Sequence, residues 1–126
     1  MIENQQIGVF NATGPEVPLN MSQVLETCRQ VAGSPAEFVW VDDDFLIAQG
    51  VTPFTDLPLW LPGSAVAMMQ VSIGKALAAG LTFRPLVETV VDTLAWDNTR
   101  PLDAQRINGI SLQRETEVLD LWMKSE

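Results

Sequence analysis

No histidine and no tyrosine occur among the 126 residues, and there is a single cysteine, Cys28. Without histidine, Ser–His and Cys–His nucleophile pairs are excluded. Histidine-bound zinc is excluded too, and one cysteine cannot build a thiolate site, so no metal site is expected. A lone cysteine cannot close an internal disulfide, which fits a reducing cytoplasm. Basic residues are scarce: seven Lys and Arg stand against 16 Asp and Glu, for a net charge of −9. That balance opposes nucleic acid, whose phosphates need a basic face, and an anionic membrane surface. No apolar run reaches spanning length. Neither a GxxxxGK[ST] loop nor a GxGxxG after a strand is present, so no cofactor-binding residue is assigned. Met1–Gln6 is polar, without a basic n-region or apolar core, and no signal peptide is expected.

What is present is globular in character: 47% hydrophobic residues in a length suited to one domain over 1–126. Ile7–Ala12 reads as a short strand, broken by Thr13-Gly14-Pro15. Asn20, with Gln23 three residues on, approximates a capping box. Met21, Val24, Leu25, Cys28 and Val31 follow at helical spacing, and Gly33 and Pro35 mark the stop. Glu37–Val41 reads as a strand covered on both faces. Asp42, Asp43 and Asp44 then suit the N-terminus of a short helix over Phe45–Gln49 better than a cation site, because consecutive side chains diverge.

Three prolines between Val51 and Gly63 forbid regular structure there, yet Phe54, Leu57, Leu59, Trp60 and Leu61 make that loop apolar, so it must dock on something. Val71–Trp96, VSIGKALAAGLTFRPLVETVVDTLAW, reads as helix (Ile73–Ala79), glycine stop, strand (Leu81–Phe83), proline and second helix. Leu86, Val87, Val90, Val91 and Leu94 form the apolar face of that second helix, and Leu25 and Val90 are expected core residues. A polar linker over 100–110 precedes a last helix, capped by Ser111 and running from Leu112 to about Met123.

The order of these elements, with GVFNATGP at its head and ALAAGLTFRPLVETVVDTLAW at its close, resembles the C-terminal, substrate-binding part of the NAD-dependent epimerase/dehydratase family of the extended short-chain dehydrogenase/reductase type. The resemblance spans nearly all of Ile7 to Trp96, and Ser111–Trp122 looks like the terminal helix of its bacterial members. It implies an α/β fold (α+β by strict layer definition). That fold is a small sheet with two short parallel strands, Phe38–Val41 and Leu81–Phe83, and four to five helices, without the Rossmann nucleotide-binding half.

The family's glycine-rich turn and Tyr-x-x-x-Lys pair have no counterpart here, so no catalytic residue carries over and Lys75 has no tyrosine to serve. A full-length parent would be an NAD(P)-dependent oxidoreductase or epimerase. This chain would be its non-catalytic substrate-binding portion. The alternative is a standalone protein-interaction or small-ligand module derived from that fold.

By the same resemblance Trp60 and Leu59 lie near the substrate cleft, as an apolar wall for a small-molecule substrate or as anchors of the loop. Arg84, at a strand–helix junction, suits either a substrate carboxylate or phosphate or a local partner such as Glu88. Asn11 and Thr13 either edge a ligand crevice or serve the turn. A homodimer, or the missing Rossmann half, is the expected partner, since Ile7–Ala12 would leave an unpaired apolar edge.

Overall fold

A computed structural model describes residues 7–101, 104 and 108–125. The expectations for Met1–Gln6 and for residues 102–103 and 105–107 of the 100–110 linker lie outside the described residues. In chain order the elements are α1 (Met21–Ala32), α2 (Asp43–Ala48), a 3-10 helix (Gly63–Met69), α3 (Gly74–Ala78), α4 (Leu86–Asp97) and α5 (Leu112–Met123).

The expected sheet is absent. Among the described residues there is no β-strand, only an isolated bridge between Pro53 and Leu57. The α/β assignment, with its parallel pair Phe38–Val41 and Leu81–Phe83, is therefore corrected to an all-helical architecture. The physical reason is that a strand exists only when another strand completes its hydrogen bonds. Ile7–Ala12, Glu37–Val41 and Leu81–Phe83 have strand-forming composition but no ladder partner among the described residues, and they take no regular secondary structure.

Residues cluster into two compact units, each discontinuous in sequence: Met1–Glu37 with Gln70–Leu102, and Phe38–Met69 with Asp103–Glu126. In the first unit, α1 packs on α4. Its start is a complete capping box. The Asn20 side chain accepts from the Gln23 backbone N–H at 2.9 Å, and Gln23 Oε1 accepts from the Asn20 N–H at 2.9 Å. Gly33 closes it in the left-handed region, φ 58°. On its surface Arg29 and Gln30 hydrogen-bond Glu26 and hold its carboxyl below the ordinary range.

The stripe Met21, Val24, Leu25, Cys28 and Val31 is half-buried along its whole length, and so are Leu86, Val90 and Leu94 on α4. Leu25 and Val90 are thus contact residues rather than fully enclosed core. Val87 and Val91 turn away, each nearly half exposed. Because no residue of α1 is fully buried, its cap is a large share of its stability. Asn20→Ala is expected to cost about 1 kcal/mol in urea unfolding; a loss below about 0.3 kcal/mol would mean that α1 is held by packing alone.

The second unit centres on Leu46, Val51 and Val118, with Val41, Phe45, Leu57, Trp60 and Ile110 packed against them. A six-residue helix such as α2 cannot persist by itself in water. Both its ends are pinned from elsewhere in the chain. At the N-terminal end Asp43 accepts the Trp60 indole N–H at 2.7 Å, and at the C-terminal end the Gln49 carbonyl accepts from Arg114 of α5. The aspartates therefore act through the helix dipole and through Trp60. Asp42, at the cap position, makes no side-chain cap bond. Phe45 and Trp122 meet edge to face at 5.0 Å, and Gly109 and Ile110 donate to the Thr55 and Asp56 carbonyls, seating the start of α5 on the Pro-rich loop.

Candidate functional site

The five residues singled out from the sequence fall into both units. Asn11, Thr13 and Arg84 belong to the first, Leu59 and Trp60 to the second.

Asn11 donates from Nδ2 to the Ser72 carbonyl at 3.1 Å. Two residues on, Thr13 is exposed, and the Phe83 ring packs on the next position, Gly14. A Cβ there would lie 3.0 Å from the Phe83 Cδ1 and Cε1 atoms, so any larger residue would require the ring to shift by a few tenths of an ångström. At Gly8, where φ is 132°, a Cβ would come within 2.8 Å of the Lys75 Nζ. Lys75 itself donates to the Val9 carbonyl at 2.8 Å and lies 4.3 Å above the Phe10 ring. Lys75 thus clamps the leading segment to α3, a role for which the sequence held no local signal because the contact spans 66 positions.

Arg84 is turned onto α4. Its Nε donates to Thr89 Oγ1 at 2.9 Å and its NH1 is ion-paired with Asp92. The local partner is therefore Asp92 rather than Glu88. Both members of the pair are about half exposed or more, where such a pair contributes little to stability. Arg84, Val87, Glu88, Val91 and Asp92 line one open groove of about 240 Å³. Its lining sets two valines beside one arginine and two carboxylates, so it suits an uncharged or weakly cationic ligand better than a free anion.

Trp60 is half-buried against the second unit's core, with its indole N–H spent on Asp43. Leu59 beside it is 47% exposed and sits in the left-handed region, φ 67°. Backbone strain at a branched residue costs of order 1–3 kcal/mol and persists only where the surroundings impose it. Here Trp60 on one side and the Pro53–Leu57 bridge on the other fix the loop. The strain turns the Leu59 side chain outward while the tryptophan is held in.

Among the described residues no group of three or more His, Cys, Asp or Glu side chains is placed to hold a metal ion, and no helix is long and apolar enough to cross a membrane. Comparison with protein-family models, with curated proteins and with solved structures finds no match.

Proposed function

We propose that the chain is the substrate-binding portion of a larger NAD(P)-dependent epimerase/dehydratase-like protein, and that it has no redox reaction of its own. What carries the reading is the exposure of apolar side chains in segments of strand-like composition. Ile7 (96%), Val9 (84%), Trp40 (58%) and Val39 (48%) are exposed, and the segments they belong to form no ladder among the described residues. Segments of that composition, left uncovered, are what a binding part looks like when its complement is elsewhere. The chemistry of the chain agrees: with no tyrosine or histidine, no side chain is available as the family's proton-transfer group.

The test is direct. Purified chain is incubated with NADH or NADPH and a panel of aldehydes, ketones and sugar nucleotides, and absorbance of the reduced cofactor is followed. No turnover above background is expected, whereas chemical-shift changes at Arg84, Val87 or Val91, which line the groove on α4, are expected with at least one panel member. Cofactor-dependent turnover by pure chain would overturn the proposal.

A further inference from the structure

The approach to α5 holds the chain's single Asn-Gly pair, Asn108-Gly109. Both residues are exposed. Gly109 sits at φ 109°, in the left-handed region that a residue with a Cβ adopts only under strain, so the backbone itself selects glycine here. The Gly109 N–H donates to the Thr55 carbonyl at 2.8 Å, and the Ile110 N–H donates to the Asp56 carbonyl at 2.7 Å. All four residues belong to the second unit. An asparagine followed by glycine has a nucleophile at its side, because no side chain on the next residue shields the peptide nitrogen from the asparagine amide. Here that nitrogen is engaged: its proton is committed to Thr55.

We propose that Asn108 is a self-modification site, a deamidation clock held closed by the Gly109–Thr55 hydrogen bond and released when the second unit opens. The reaction needs only water. Freed from Thr55, the Gly109 nitrogen gives up its proton and attacks the Asn108 Cγ. The new C–N bond closes a succinimide ring, and the side-chain amide group leaves with that proton as ammonia. Water then opens the ring at either carbonyl, leaving aspartate or isoaspartate at position 108, and nothing is oxidised or reduced. The isoaspartate product threads an extra methylene into the backbone just before Gly109. The Gly109 and Ile110 N–H groups then no longer match the Thr55 and Asp56 carbonyls, so the seat of α5 cannot re-form as it was. A group that reacts only in the open form is modified at a rate proportional to the open population, and position 108 thus keeps a covalent record of how often the unit opens. The inference concerns the second unit's own backbone and stands apart from the cofactor-linked reading above.

The purified chain is aged at mildly alkaline pH, with and without urea, and peptide mapping by mass spectrometry follows the amide-to-acid mass gain at each asparagine. In urea Asn108 is expected to convert ahead of every other asparagine. Without urea its rate is expected to fall by at least about a hundredfold, the share of time that even a marginally stable unit spends closed. Val118→Ala, which weakens the core beneath α5, is expected to raise the rate without urea by roughly 30-fold and to leave the rate in urea unchanged. Asn108→Gln, whose longer side chain closes an imide ring far less readily, is expected to remove the reaction under both conditions with unchanged far-UV circular dichroism. Equal rates with and without urea would overturn the proposal, since the Thr55 bond would then protect nothing. So would a rate without urea that Val118→Ala does not move, or another asparagine reacting first in urea. Turnover of NADH by the unaged chain would sink the proposed function and leave the clock standing.

Discussion

Val118→Asp is expected to unfold the second unit at neutral pH. Val118 is 4% exposed on α5 and shares the core with Leu46 and Val51, none of which offers a hydrogen bond to a carboxylate. An ionised group buried without a partner costs several kcal/mol even after relaxation. The total stability of a unit of this size is roughly 3–8 kcal/mol, so the substitution consumes most or all of it. Val118→Ala removes two methyl groups and is expected to cost only about 2 kcal/mol. Amide exchange along α2 and α5 is the appropriate probe, because it reports on this unit by itself. Protection factors unchanged in Val118→Asp would show that α5 does not supply the core.

Trp60→Ala is expected to cost about 2–4 kcal/mol, somewhat below the range for a fully buried tryptophan because the ring is only partly covered. The loss has two parts. The ring leaves a gap beside Leu46, Val51 and Val118, and Asp43 loses the donor that ties the start of α2 to the loop. Trp60→Phe separates them. It keeps most of the ring volume and gives up the hydrogen bond, for an expected cost near 1 kcal/mol. Urea unfolding of the three proteins decides the matter. A cost below about 0.5 kcal/mol for Trp60→Ala, the usual surface range, would mean that the indole is not an anchor and is free to serve a ligand.

Helix ends were legible in the sequence because their determinants are local. Asn20 with Gln23, Gly33, Pro85 and Ser111 each act within three or four residues, and the helices begin and end within a few positions of where those signals put them. Strands were not legible, because composition states only that a segment suits a pleated surface. Whether Ile7–Ala12 or Leu81–Phe83 becomes a strand depends on a partner elsewhere, and none is supplied among the described residues. The 3-10 helix Gly63–Met69 escaped notice for another reason: it buries no residue, so no apolar periodicity marks it.

The site contacts divide the same way. That Arg84 is paired within its own neighbourhood was readable from the carboxylates on the helix that follows, though the partner is eight residues on rather than four. The hold of Asp43 on Trp60 crosses 17 residues and that of Lys75 on Val9 crosses 66, distances over which a single sequence carries no register.

The sequence order of the second unit sets a schedule for its birth. Gln49, at the end of α2, and Arg114, which secures it, are 65 residues apart. A ribosome adding about 5–20 residues each second therefore releases α2 and the Pro-rich loop several seconds before α5 exists. Through that interval Leu46, Val51, Leu57 and Trp60 have been synthesised without Val118 to enclose them. The nascent chain is then at its stickiest, and chaperone capture or premature association falls in a window that closes only when α5 emerges. Slower translation between α2 and α5 lengthens the exposure, and synonymous rare codons placed there would lower soluble yield without altering a single residue of the product.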